Sequence, residues 1–495
     1  MRTVVILMDT LRRQMLSCYN PETFVKTPNI LSFSKEATTF DQHWIGSAPC
    51  MPARRDILCG RLNFLERSWG PIEPFDVTLP SVLKEHDIFT HITTDHCHYF
   101  RLGGEGYVQQ FNTWDYHRGQ EGDPWVSRID DPAMPKSSYG KVRRQYQWNR
   151  TKWPKEEEYP SPRTFASACD WLKDNQGKDD FFLMVEAFDP HEPFDVPEEY
   201  MKLYEDAKLD REYFEIPDYD RVNVPDDAVD YIQKRYAALL TMTDKWFGKL
   251  IDQLKELDMY EDTLMIMTTD HGYFLGERDY FGKNYMHLYN ELAHLPLIVK
   301  FPKNELGGQR ISKITQNIDI MPTVLEASGI AIPDSVKGSS WMKLIHDPQH
   351  YEKNYALFGY HAMAVNVTDG HYVYLRSPNS ENKPCYEYTC IPTTIRKYLG
   401  KGLEPQIETG RYLKRTEYPL YRVPVNAPSI IDNVSCGMSE VKATKLFNLD
   451  NDYAEKINLA GVDHQAEEYC IKLLDKALDE HEAPAEQKQR LGLKD

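Results

Sequence analysis

The sequence lacks long apolar runs: nothing in its 495 residues approaches the roughly 18 to 20 apolar positions that a membrane helix needs. Positive charge is also short, with 58 Lys and Arg against 76 Asp and Glu, a net charge of −18. Phosphate backbones and anionic lipids are met by positive surface, so this balance argues against nucleic acid and membrane as partners. No apolar leader with a cleavage site opens the chain, and no repeat or low-complexity block interrupts it. Its nine cysteines, at 18, 50, 59, 97, 169, 385, 390, 436 and 470, include no CxxC pair. We therefore expect reduced thiols and a cytoplasmic location. What is present, 41% hydrophobic and 12% aromatic residues, is a globular composition.

Three short apolar runs carry the topology. Thr3 to Met8 ends at Asp9, Phe181 to Val185 leads to Asp189 and His191, and Thr263 to Met267 ends at Asp270 and His271. Continuous apolar runs of this length predict strands buried on both faces. Helical spacing recurs from Leu79 to Glu85, Ser161 to Asn175 and Asp227 to Leu257, and a helix-like stretch covers Thr315 to Gly329. The alternation predicts an α/β fold, a large mostly parallel sheet sandwiched by helices. Ligands of such sheets bind outside the carboxyl ends of the strands, so the three polar clusters are expected to meet in one crevice. We place a catalytic domain at 1–345, with an insertion at about 115–162 that is rich in Trp, Tyr, Arg, Gly and Pro. A smaller C-terminal α+β domain with an antiparallel sheet follows at 346–495, where AMAVNVTDGHYVYLRS reads as a hairpin around its TDG turn.

The segment SAPCMPARRDILCGR, residues 47 to 61, concentrates the chemistry. Cys50 precedes Arg54 at the start of a helix-like stretch, and both positive charge and a helix N-terminus lower a thiol's pKa and attract anions. Alone, the segment also fits a half-buried structural cysteine. Cys-x-Pro-Ala-Arg with its following Gly-Arg resembles the signature of the formylglycine-dependent sulfatases. These belong to the alkaline phosphatase superfamily, together with related phosphonate monoester hydrolases. The likeness continues through the N-terminal strand with Asp9, DPHEPF, TTDHG, GERDYFGKNYMHLYNELAHLPLIVKFP, QNIDIMPTVLEASGI and LFNLDNDYAEKINLA.

The resemblance implies that Cys50 is oxidised to formylglycine by a formylglycine-generating or anaerobic sulfatase-maturating enzyme, and that its hydrate is the nucleophile, steadied by Arg54. It implies one divalent-cation site of Asp9, Cys50, Asp270 and His271. Oxygen ligands favour Ca²⁺ or Mg²⁺, while the imidazole admits Mn²⁺ or Zn²⁺. By the same match Lys283 holds the sulfate, His191 donates a proton to the leaving group, His98 accepts one when the aldehyde is regenerated, and His96 and Arg12 lie near the substrate. There are departures: Thr10 stands where many sulfatases have a second Asp, His271 where many have Asn, and Cys59 where Thr is usual. FTHITTDHCHYF lacks the lysine of a common Gly-Lys-x-His, with Asp95 or His96 near its place.

The implied activity is hydrolysis of a small sulfate ester, a sulfated carbohydrate or an aryl or alkyl sulfate. Asp9 with Arg12 three residues on, plus Asp270 and His271, also fits a phosphonate monoester or phosphodiester hydrolase. A non-catalytic binding protein is the third reading. In the insertion, Trp114, Tyr116, Arg118, Trp125, Arg143, Arg144, Trp148 and Trp153 suit stacking on a ring beside an anionic group, or equally packing and surface roles.

Overall fold

The fold follows from how the apolar runs pair. One eight-stranded sheet runs, in spatial order, Arg310–Gln316, Thr38–Trp44, His294–Lys300, Thr263–Thr268, Arg2–Met8, Phe181–Ala187, Phe89–Thr94 and Thr113–Tyr116. Every pairing is parallel except the two made by His294–Lys300. This computed structural model describes residues 1–204, 208–284, 286–396, 398–399, 406–425 and 443–493. Cys436 lies outside the described residues.

The strand Arg2–Met8 alternates its side chains between two cores. Val4, Ile6 and Met8 pack with the 31-residue helix Asp226–Glu256 and the helix Pro160–Asp174. Val5 and Leu7 pack on the other face with Met51, Ile57 and Leu58 of the helix Cys50–Cys59, and with Leu79 and Leu83 of Leu79–Glu85. Helices on both faces explain why the run is apolar throughout, each such side chain contributing about 1.5–3 kcal/mol on burial. Register then levels the strand ends. Met8 pairs with Ala187, Leu7 with Thr268 and Thr94 with Glu186, so Asp9, Asp95, Asp189 and Asp270 leave the sheet at one edge.

The stretch from Thr315 differs from its helical expectation. Thr315 and Gln316 end a strand that pairs with His43 and Trp44, and the helix is Ile320–Ala327. The β-branched residues Ile311, Ile314 and Thr315 favour the sheet there. The insertion folds onto the body, with Tyr146 and Trp153 buried. Beyond it, the expected hairpin forms as Val365–Thr368 and Tyr372–Arg376 in a five-stranded sheet ordered Lys445–Asn448, Tyr372–Arg376, Val365–Thr368, Ala356–Tyr360 and Ser47–Ala48. The last of these belongs to the segment just before Cys50, so the C-terminal sheet grips the chain that leads into the site. The helix His464–Glu480 covers this sheet. No helix among the described residues is long and apolar enough to cross a membrane.

Candidate active site

Cys50 is the first residue of the helix Cys50–Cys59, and Arg54 stands one turn on, which brings both side chains to one face. Asp56 fixes this entry. It accepts from Ser47 N at 2.6 Å, Ser47 Oγ at 2.8 Å and Asn63 N at 2.7 Å, joining the edge strand, the helix and the loop after it. Burial pushes the Asp56 carboxyl up to about 7 against these stabilising bonds. Gly46 has no room for a side chain, because a Cβ there would run into Asp56.

Arg54 is fully buried and is the hub of the inner wall. Its Nη2 donates to Asp9 Oδ2 at 2.8 Å, Nη1 to Asp270 Oδ2 at 2.5 Å and Nε to Glu186 Oε1 at 2.7 Å. Tyr99 donates to the other Glu186 oxygen at 2.8 Å. Buried charges persist only when paired and hydrogen-bonded, and this fork pairs with three carboxylates at once. Lys283 follows the hairpin of Phe274–Leu275 and Phe281–Gly282, and its Nζ lies 3.6 Å from Asp9 Oδ1. Tyr360, the last residue of a C-terminal strand, donates to the Lys283 carbonyl and holds that turn.

Asp9, Cys50, Asp270 and His271 are buried, and they bring one ligand atom each within 4.8 Å of one another. His271 Nδ1 meets the Gly272 carbonyl at 2.8 Å, and a carbonyl can only accept, so the proton sits on Nδ1 and the Nε2 lone pair faces inward. That nitrogen is 3.3 Å from Cys50 Sγ and 3.2 Å from Asp270 Oδ2. A histidine whose far nitrogen donates to a backbone carbonyl is oriented as metal-ligating histidines are. Asp9 Oδ1 is buried without a hydrogen-bond partner, and it faces the same space. Burial, then the facing Asp270, pushes Asp9 well above the usual carboxylate range. Burial also acts upward on Asp270, but the charges of Arg54 and Lys283 outweigh it and hold Asp270 far below that range. Two facing carboxylates, an inward imidazole and an orphaned oxygen are a donor set that fits a divalent cation. Burial pushes the Cys50 thiol up, so the encoded side chain is a neutral thiol, a weak nucleophile.

The sulfatase family model matches residues 2–330, about two thirds of the chain and all of these residues except Tyr360. The chain belongs to the sulfatase family. This sulfatase is 24% identical over 413 residues to a choline-sulfatase of Rhizobium meliloti, a match covering 75% of this chain and 77% of that one. Among solved structures, the phosphonate monoester hydrolase of Agrobacterium radiobacter shares its fold, with a TM-score of 0.67 and 16% identity over 98% of this chain and 96% of the other. A protein solved in complex with its substrate D-glucosamine-2-N,6-O-disulfate also shares it, with a TM-score of 0.65 and 15% identity over 97% and 98% of the two chains.

The remaining expected residues of the sulfatase fall into two groups. His96 and His191 reach the inner wall. His96 Nε2 lies 3.7 Å from Asp9 Oδ2, and neither ring nitrogen has a hydrogen-bond partner. His191 meets the Glu192 carbonyl through Nδ1 at 2.5 Å, and burial, then Lys283, keeps it neutral. His98 points away, to Arg396 and Glu121, and burial, then Arg396, holds it far below its ordinary pKa. Arg12 is buried, with Nη1 on Glu277 at 2.5 Å, so its charge is committed inside the protein. Asp95 accepts from Ser161 Oγ at 2.6 Å, Phe188 N at 2.8 Å and Gln120 at 3.0 Å, a load-sharing position that ties the insertion to the His191 loop. Sequence reasoning missed Glu186 and Tyr99, which hold Arg54. The available signal was a lone carboxylate in the buried run FFLMVEA. It also missed Glu121 and Arg396, which no local pattern marks.

Proposed function

We propose that the protein hydrolyses the sulfate ester of a small sulfated carbohydrate, aryl or alkyl compound, with residue 50 as nucleophile and one divalent cation held by Asp9, residue 50, Asp270 and His271. The observation that carries this reading is the meeting of Cys50, the carboxylate pair, the inward His271 nitrogen and Lys283 in one buried crevice. The relative named as a choline-sulfatase and the neighbour bound to a disulfated sugar support a small sulfate ester as the substrate class.

By resemblance, a maturation enzyme converts Cys50 to formylglycine, whose hydrate supplies the attacking oxygen. The cation, for which we put Ca²⁺ first and Mn²⁺, Mg²⁺ or Zn²⁺ after it, supplies Lewis-acid charge to the sulfate when bound. The chain's own residues do the rest. Arg54 and Glu186 fix the carboxylates and the face of residue 50. Burial acts downward on Lys283, but the neighbouring carboxyl groups of Asp9 and Glu192 counter it, and Lys283 offers an ammonium to the non-bridging oxygens. His191 is assigned as proton donor to the leaving oxygen in its imidazolium form, which the negative charge of the bound ester favours against the burial that keeps the free ring neutral. His98, expected to accept the last proton, has Nε2 taken by Arg396. We assign that proton to His96 Nε2, which is uncommitted.

The test is kcat/KM on matched aryl sulfate and aryl phosphonate monoesters, using protein with formylglycine verified at residue 50. Faster turnover of the sulfate is expected. A large preference for the phosphonate replaces this reading with phosphonate hydrolysis, and no turnover of either leaves a binding protein.

A further inference from the structure

Beyond the inner wall, three guanidiniums gather on one rim of the crevice. Arg396, from the C-terminal region, donates through Nη2 to His98 Nε2 at 3.0 Å and lies 5.2 Å from the Trp69 ring centroid. His98 packs against the same ring at 5.1 Å, edge to face. Arg143, from the insertion, holds Glu121 Oε1 at 2.6 Å, and Glu121 Oε2 lies 3.6 Å from His98 Nε2. A Cβ on Gly122 would stand 3.6 Å from Arg143 Nη1 and 3.8 Å from Arg101 Nη2, so two guanidiniums border the space that this glycine leaves. The neighbouring carboxylate, Asp123, is committed to Arg118 at 2.7 and 3.0 Å.

Three positive charges thus face Glu121, and the group is under-satisfied. Arg101 Nε, Arg143 Nε, His98 Nδ1 and Glu121 Oε2 are buried with no hydrogen-bond partner. Unpaired buried polar atoms are costly, and planar guanidiniums match the oxygens of carboxylate and sulfate. Cys97, His98 and Glu121 bring ligand atoms within 4.8 Å, but the surrounding guanidiniums disfavour a cation there. The rim is also close to the chemistry. The His98 ring is 5.0 Å from that of His96, which in turn faces Asp9 at 3.7 Å. An anion held on the rim is therefore within reach of a small molecule whose ester sits at residue 50.

We propose that Arg101, Arg143 and Arg396 form a second anion subsite, and that the substrate carries a second anionic group, carboxylate or sulfo, near its reacting ester. This rests on the ester-hydrolase reading above. Glu121 is a positioning residue that keeps Arg143 turned towards the rim.

The experiment compares kcat/KM for 4-nitrophenyl sulfates bearing a ring carboxylate, a ring sulfonate or a ring carboxamide, the last matching the carboxylate in size without its charge. In the wild-type protein the better charged ring is expected to exceed the carboxamide by about tenfold or more, through KM. The ratio is expected to collapse towards one in Arg396→Gln, to fall in Arg143→Gln and to return partly in Arg396→Lys. Because it is taken within each variant, a general loss of activity cancels. A wild-type ratio of one overturns the subsite, as does a ratio that both Gln variants leave intact. Failure of the underlying reading looks different, since no ester of the set is then hydrolysed. In that case calorimetric titration of the Cys50→Ala protein still decides: tighter binding of the charged rings supports the subsite, and equal affinity overturns it.

Discussion

The inner wall of the crevice and its outer rim are built on opposite terms. On the inner wall Arg54 answers Asp9, Glu186 and Asp270, and Tyr99 answers Glu186 in turn. On the rim His98, Glu121, Arg143 and Arg396 come from three separate segments, the insertion supplying two of them, and leave buried polar atoms unpaired. A wall whose charges hold one another is preorganised for a single kind of charge-rich reaction. A rim with unspent donors is arranged for what the substrate brings. The difference assigns reaction chemistry to the strand ends, and choice among esters to the insertion and the C-terminal region.

The sharpest way to break this comparison is Arg54→Ala. It strands three buried carboxylates, and removing one partner of such a buried network costs about 3–5 kcal/mol. Urea unfolding is expected to show that loss together with abolished turnover, and wild-type stability would refute the inner wall as described. Removing the cation comes next. A chelator is expected to abolish turnover of the wild-type protein and to lower its Tm, with recovery when a divalent ion is returned. Unchanged turnover would remove the cation from the account. The rim should not alter this, so Arg396→Gln is expected to show the same shift in Tm.

Acid acts more gently, and it reaches both regions, since His98 of the rim is also held far below its ordinary pKa by burial and then Arg396. His43 supports the inner wall through Asn317, which bonds the Thr269 carbonyl, and burial holds His43 down at about 3. Folded His43 stays neutral while the unfolded chain takes up a proton below the ordinary value of 6.5. Stability therefore falls as pH drops from 6.5 towards 3, by about 1.4 kcal/mol per pH unit from this residue. Glu121 keeps its charge across that window: burial acts upward on it, but Arg143 and its neighbours bring it down to about 2. Urea midpoints at successive pH values should fall with acid in the wild type and less steeply in His43→Gln; equal slopes would count against this support. The smallest effect belongs to Arg144, exposed and paired with Asp131 at 2.5 Å, whose replacement by Ala should change stability by less than about 1 kcal/mol.

The same contrast explains what was legible in the sequence. Asp9, Asp270 and His271 follow apolar runs directly, so strand periodicity placed them at one sheet edge, and Cys50 with Arg54 sat in a dense motif. Glu186 escaped because it stands just past the apolar run Phe181 to Val185 but still within the buried strand, where run length alone gives a carboxylate no role. The rim was not legible because Arg396 meets His98 across 298 residues of sequence, from segments without periodicity, and only tertiary packing joins them. Arg12 read as a substrate contact because spacing locates a side chain and not its partner, which is Glu277.

The measurement that tests the central claim most directly is sulfate release as a function of the aldehyde fraction at residue 50, read by peptide mass spectrometry on protein made with and without a maturation enzyme. The account predicts that turnover rises in proportion to the aldehyde and vanishes in Cys50→Ala. Full turnover from protein that carries only the thiol would contradict it.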